Sequence, residues 1–387
     1  MTDTTREKQN QKKRRALRSF LVFFLVLVVV LGVVVVAAYR DGTGFDVLRR
    51  YLNYGSGESI GGETIYDYDA APSNRFAVVG DRLVVLSTSS LRVLDSKGGE
   101  VWSTPVKMDA PALVAGGGRA VAYDVGGTSL FLVDGEGEVM RLTADEAEPL
   151  ISARLNEKGW LAVTAEKKTY KGCVSVYNEN AGKVFEFDSS RRFLTDAYVT
   201  DDCRHLAAVT LGQENSVFVS NVVFYDLTKE DPVEDYSITD GLVTTIGQQG
   251  DHLVTVSDTC LTFAGVDGEI DAAYSYKESY LREYDLGGED FAVLLLNRYQ
   301  SGSVGKVVSV AADGTVLGSL DVNREILDIS ASDRYLAVLY MDSLVIYNRE
   351  LQVYATLNGT DYAKAVLMRP DGSALLLSSE SATLFLP

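Results

Sequence analysis

Eight times between Leu83 and the C-terminus the chain writes a short apolar run, a turn and a second run ending in an Asp- or Asn-rich corner. The runs open at Leu83, Ala120, Leu161, Leu206, Leu253, Phe291, Leu336 and Ala374, in steps of 37 to 47 residues. A period of about 42 residues suits a four-stranded blade, and blades repeated in a ring make a β-propeller. In the first unit Arg82–Ser87 and Ser90–Leu94 read as strands, Asp95–Gly99 as a corner and Glu100–Trp102 as the start of a third strand. The corner needs residues that tolerate positive φ or cap a turn, and it returns at Asp134-Gly135, Asn178–Gly182 and Asp313-Gly314. A further apolar strand such as Ala112–Ala115 or Ile326–Ile329 precedes each pair, giving four per unit.

The units fall at 73–108, 109–145, 149–190, 191–240, 241–279, 280–323, 324–360 and 361–387. The last holds only three strands, and Glu63–Tyr68, a β-prone stretch ahead of the first unit, is expected to supply the fourth and close the ring. The predicted fold is therefore an all-β, eight-bladed propeller, with seven blades as the alternative count.

Ahead of the repeats, 20–38 is a run of 19 uncharged, Val/Leu/Phe-rich residues. At about 1.5 Å per residue it spans roughly 28 Å, the thickness of a bilayer core. Arg6, Lys8, Lys12, Lys13, Arg14, Arg15 and Arg18 precede it against only Asp3 and Glu7, which keeps the N-terminus cytoplasmic. The expectation is a single-pass protein of the cell membrane: basic tail 1–18, transmembrane helix 19–39, juxtamembrane linker 40–62 and extracytoplasmic propeller 63–387. A cleavable signal peptide is the competing reading, since Val36-Ala37-Ala38 offers small residues, but the apolar run exceeds the usual signal core. Within the linker, Phe45, Leu48 and Leu52 fall at helical spacing, consistent with a short helix at the membrane surface or with a polar turn.

Charge divides at the same boundary. Residues 1–40 carry 8 Lys/Arg and 2 Asp/Glu, so of the chain's 36 and 54 there remain 28 basic and 52 acidic groups, a net of −24 beyond Arg40. Such a surface repels phosphate backbones, and no nucleic-acid partner is expected.

Three cysteines, Cys173, Cys203 and Cys260, make no disulfide framework, although a Cys173–Cys203 bridge stays open. The only histidines, His205 and His252, occupy equivalent places before second strands, which suits a turn role better than a metal or catalytic one. No Cys-x-x-Cys pair, Gly-x-Ser-x-Gly elbow or Walker loop is present, and no cofactor is expected.

The segment Leu91–Trp102 resembles the repeat of quinoprotein-type propellers, in which an Asp, a following Gly and a Trp dock neighbouring blades. Here Trp102 falls seven residues after Asp95, one short of that spacing, and no other blade repeats it. Arg369–Ser373 is similar to the corner of Tol-type and WD-type propellers. The whole arrangement of basic tail, single span, Gly/Ser linker and units such as Tyr170–Asn178 resembles an uncharacterised family of membrane-anchored propellers from Gram-positive-type bacteria. That resemblance implies a fold and a location but no activity.

One asymmetry stands out from the repeat. The hairpins between second and third strands are short in the first and seventh units but long in the third, fourth and sixth, at Thr164–Gly172, Gly212–Asn221 and Asn297–Lys306. Such hairpins all emerge on one face of a propeller, so the three share a rim. They carry Lys167, Lys168, Tyr170, Lys171, Arg298, Tyr299 and Lys306, a basic and aromatic set on an acidic domain. Long loops on a rigid scaffold are where binding resides, and Tyr with Arg is typical of contact patches. The expected function is a non-catalytic binding or scaffolding module at the cell envelope, with an acidic protein or envelope polymer as partner. The alternative is an envelope hydrolase or lyase using two facing carboxylates in the channel.

Overall fold

The computed structural model describes residues 20, 22–34, 46–54, 63–71, 73–229, 232–238, 241–266 and 268–387. Two compact units result, 1–58 and 59–387.

In the first unit the described helix at 20 and 22–34 is apolar and exposed throughout. No helix among the described residues is long and apolar enough to cross a membrane. The tail 1–18 and the rest of the expected 19–39 span lie outside those residues, so the fold by itself does not supply the membrane helix. A short helix, Asp46–Tyr54, does form in the linker, with Val47, Tyr51 and Leu52 exposed and Asp46 and Arg50 buried. Residues 40–45 and 55–62 of the linker are again outside the described part.

The second unit is a ring of eight four-stranded antiparallel sheets. Blades 1 to 8 take 75–105, 111–143, 150–188, 193–238, 243–275, 280–322, 326–358 and 365–385, the last completed by β1 (Glu63–Asp67). The eight units read from the sequence are these blades, and seven is excluded. Strand β1 pairs antiparallel with β32 (Ser381–Phe385), with Glu63 opposite Leu384 and Asp67 opposite Ser381. The chain thus sews its two ends into one sheet, and the Tyr68 hydroxyl adds a hydrogen bond to the Ser381 carbonyl at 2.7 Å.

Burial explains the sequence periodicity. Second strands are covered by blades on both faces, so β11 (Leu161–Ala165), β23 (Phe291–Asn297) and β27 (Tyr335–Tyr340) are buried at every residue. Outer strands such as β5 (Glu100–Pro105) alternate between exposed and half-buried. Each buried Leu, Ile or Val contributes about 1.5–3 kcal/mol, and the core runs as a belt from blade to blade.

The corners hold the blades in register. Asp95 Oδ1 accepts hydrogen bonds from the amides of Lys97 and Gly99, at 2.8 and 2.9 Å, and Asn178 and Asn348 cap the same turn in blades 3 and 7. Trp102 of blade 1 lies against Gly137 of blade 2, whose φ is 138°; a Cβ there would sit 2.8 Å from the indole. At ring closure Ile65 of β1 meets Gly98 of blade 1 in the same manner, its carbonyl oxygen 2.0 Å from where a Cβ would be. The docking role of the tryptophan is therefore one instance of a third-residue contact by an outer strand on the next blade's corner.

Candidate functional site

Two regions gather polar chemistry: the central channel, and the face on which second-to-third-strand hairpins and blade-to-blade connections emerge, called the upper face below.

Inner strands present one edge to the channel, and a β-bulge near the start of each of five of them shifts the register by one residue. The residues just after the bulge are Ser152, Asp196, Thr245, Glu283 and Asp328, in blades 3 to 7. A bulge re-aims side chains, and all five are polar.

At blades 3 and 4 the Asp196 carboxylate, buried, receives Arg154, with Nη2 at 2.9 Å and Nε at 3.0 Å from Oδ2. Burial opposes the Arg154 charge, but Asp196 more than offsets it and holds the guanidinium pKa above its ordinary value. At blades 6 and 7 no ion pair among the described residues fills that role: Arg282, whose charge acts only weakly on Glu283, donates to the Ile326 carbonyl at 2.7 Å. Burial first, and then the hydrogen bond and charge of Asp328, push the Glu283 carboxyl well above the usual range, so Glu283 holds a proton shared with Asp328. Asp328 is itself raised by burial. Nearby Asp285 is pushed up to about 6, again by burial.

These acids are occupied by the fold. Asp328 Oδ2 accepts the Val366 amide of blade 8 at 2.7 Å, and Asp285 Oδ2 accepts the Ala331 amide of blade 7 at 3.0 Å. Ser330 does the same for the Met368 amide at 3.0 Å. Each ties the open edge of the next inner strand, which would otherwise carry unpaired donors. Glu283 and Asp328 touch each other through a hydrogen bond, closer than the separations at which glycosidase carboxylates flank a bond. Among the described residues no group of three or more His, Cys, Asp or Glu is placed to hold a metal ion. His205 opens β15 (His205–Glu214) with Nδ1 3.7 Å from Asp202, and His252 opens β19 (His252–Ser257) with Nε2 3.5 Å from Asp271. All three cysteines are free; burial raises the Cys173 thiol to about 11, and Cys203 meets the Asn156 amide.

The upper face is built differently. In blades 1, 5 and 8 the short hairpin carries a serine cap, in which Ser87, Ser257 and Ser378 each accept the amide three residues on, at 2.9 Å. The hairpins of blades 3 and 6 instead loop through 166–172 and 298–304. In blade 4 the segment expected as a loop is strand: β15 and β16 (Val217–Asp226) run on as an arm to a turn at Asn215-Ser216. Asn215 and Ser216 hold φ of 50° and 69°, the geometry that lets a two-residue turn continue the strand twist.

Among the described residues, cavities between blades 3 and 4, at blade 6 and between blades 1 and 2 open on this face. One of about 390 Å³ between blades 3 and 4 is lined by Lys171, Arg191, Arg192, Phe193, Gly212 and Phe218 among others. A second, of about 490 Å³ at blade 6, has Arg298, Lys306 and Val304 in its wall together with Asp321. A third, of about 400 Å³ between blades 1 and 2, has Lys107, Arg141 and Phe131. Lys171 stands over the Phe193 ring at 4.8 Å, Arg141 over Phe131 at 4.7 Å and Arg298 over Tyr299 at 5.8 Å.

Of the residues singled out in the sequence, Lys171 lines the first of these wells and Arg298 and Lys306 the second, while Lys167, Lys168, Tyr170 and Tyr299 line neither. Lys168, Tyr170 and Lys171 are exposed at blade 3, while Lys167 is engaged by Glu186 at 3.5 Å and Glu148 at 3.8 Å. Arg298 and Tyr299 are exposed at blade 6, and Lys306 lies 3.5 Å from the Tyr274 hydroxyl. Blades 4 and 5 separate the two groups, so they form one rim but not one patch. Lys107, Arg141, Arg191 and Arg192 escape a reading confined to long hairpins, because they sit on outer-strand ends and blade-to-blade connections. Those connections emerge on the same face, and their cations are visible in the sequence once that topology is applied.

A profile described as a family of unknown function, DUF5711, matches residues 58–360. No curated protein matches the sequence. Among solved structures, the computationally designed Ika8 protein superposes with a TM-score of 0.60 at 12% identity, over 84% of this chain and 99% of that one. A eukaryotic initiation factor gives 0.53 at 10% identity, over 84% and 88%. BamB from Moraxella catarrhalis gives 0.50 at 13% identity, over 84% and 99%. At these identities the likeness is one of fold alone.

Proposed function

We propose, from the premise that the chain belongs to the DUF5711 family of unknown function, that it is a membrane-tethered binding or scaffolding propeller whose upper face takes an acidic protein or anionic envelope polymer. The observation that carries this reading is the coincidence, on one face of a domain with a net charge near −24, of three cavities each walled by cations. Cations paired with exposed aromatic rings bind anions by charge and cover apolar surface at once.

The apolar run 20–38 behind a basic tail supports anchoring, with the tail inside and the propeller outside the cell. The chain enters the ring at Glu63, on the face opposite the hairpins, because Glu63 pairs with the far end of β32.

The test is binding of poly-L-glutamate to the full chain at increasing salt. Wild type is expected to bind with strong salt dependence, and the triple variant Lys107→Glu, Lys168→Glu, Arg298→Glu to lose at least about 10-fold in affinity with unchanged melting. Equal binding by wild type and triple variant, or none by wild type, overturns the reading.

A further inference from the structure

We propose that the blade 4 arm takes an extended acidic peptide as an added β-strand. The proposal rests on the anion-binding reading of the upper face and names the partner for one of its wells.

Strands β15 and β16 pair through Glu214 and Val217, but among the described residues their neighbours stop short. The inner strand's last partner is Leu211, opposite Phe193, and the outer strand's is Ser220, opposite Ile238. Residues 212–214 and 217–219 therefore project as a two-stranded arm beyond the four-stranded blade. An edge of this kind is a template for another strand, and folded proteins ordinarily blunt or cover it.

This edge is held in place and left open. Arg192 crosses the arm, donating to the Val219 carbonyl at 3.3 Å, to Asn221 and to Glu214. Gly212 makes the crossing feasible, since a Cβ there would lie 2.9 Å from the Arg192 guanidinium carbon. A lone hairpin is marginal in water, and this clamp supplies the missing order. Beyond the clamp, the 212–214 edge faces the cavity of about 390 Å³ rather than another strand.

The cavity wall selects the occupant. Phe193 and Phe218 are 57% and 61% exposed, a large apolar surface to leave in water. Lys171 caps one of these rings, and exposed Arg191 makes no ion pair among the described residues. With Arg192 already committed to Glu214, Lys171 and Arg191 remain for the ligand. A phosphate polymer or a polysaccharide would use those cations but not the backbone edge. A peptide uses both, with main-chain hydrogen bonds to the arm and alternate side chains directed to the rings and to the cations. The sequence that fits is one in which acidic and β-branched residues alternate.

The probe is a labelled peptide of about eight alternating Glu and Val residues, titrated into the full chain. Parallel titrations use the same peptide N-methylated at alternate amides, and polyphosphate. Saturable binding is expected, with N-methylation weakening it by about 10-fold, the worth of one or two hydrogen bonds. Gln213→Pro should weaken the peptide similarly while leaving melting and polyphosphate binding intact, because an edge strand tolerates proline. Arg191→Glu should lower affinity and flatten its salt dependence. If N-methylation and Gln213→Pro both change nothing, the strand assignment is overturned; continued binding of poly-L-glutamate would then leave the anion-binding face standing. If no anionic probe binds, both fall together.

Discussion

Blades 3 and 4 and blades 6 and 7 meet the same difficulty at the same place in the ring and resolve it differently. In both, a bulge on the inner strand puts a carboxyl group where water is scarce. Asp196 is paired with the Arg154 guanidinium at 2.9 Å. Glu283 and Asp328 face each other through a hydrogen bond with no ion pair among the described residues, and burial raises both carboxyls. The first arrangement is indifferent to pH across the physiological range, since arginine does not titrate there; the second is not. The repeat therefore conserves a position for inter-blade ties but leaves the means of neutralising charge to each blade.

The largest effect should follow from breaking the guanidinium side. Arg154→Met strands the Asp196 charge in a buried site and is expected to cost about 3–5 kcal/mol, read as a drop in the urea midpoint. Adding Asp196→Leu should recover most of that loss, because removing both partners leaves no buried charge. A loss below about 1 kcal/mol would show the pair to be peripheral to stability.

A smaller effect is expected from Asp328→Ala. The Val366 amide loses its acceptor, which costs about 1–3 kcal/mol, and Glu283 loses the hydrogen-bond partner for its proton. Hydrogen exchange should report faster opening at Val366 than at Met368, whose tie to Ser330 is untouched. Equal acceleration at both amides would mean that the inner strands of blades 7 and 8 separate as a unit.

The comparison between blades also shows what a sequence displays and what it hides. The ring was legible because second strands, buried on both faces, read as unbroken apolar runs such as Phe291–Leu296, and because corners such as Asp95–Gly99 need particular turn residues. The outer strand Glu63–Asp67 was legible because the last unit was short by one. The bulges were not, since a one-residue slip leaves no mark on composition; Thr195-Asp196 and Arg282-Glu283 read simply as polar residues in inner strands. Part of the upper face was hidden for another reason. Long hairpins drew notice to Lys168 and Arg298, whereas Arg191 and Lys107 lie on connections that look ordinary until the ring brings them beside those hairpins. The Asn215-Ser216 turn did carry a signal for strand rather than loop, in residues that accept positive φ.

The finest test separates the two halves by pH alone. Between the ordinary glutamate range, near pH 4, and the raised value in the fold, the native protein keeps a proton on Glu283 that the unfolded chain has released. The native state then binds more protons than the unfolded one, so stability must fall as pH rises through that window and be fullest below it. Asp285, raised to about 6, adds a loss of the same sign that is complete by about pH 7. Glu283→Gln replaces the shared proton by an amide donor to Asp328. It should stay within about 1 kcal/mol of wild type at pH 6, yet lose less stability between pH 7 and 9. Urea midpoints measured at half-unit steps would read this directly. Parallel curves for wild type and Glu283→Gln would mean that the pair does not hold the proton, and that blades 6 and 7 balance their carboxyls as permanently as blades 3 and 4 do.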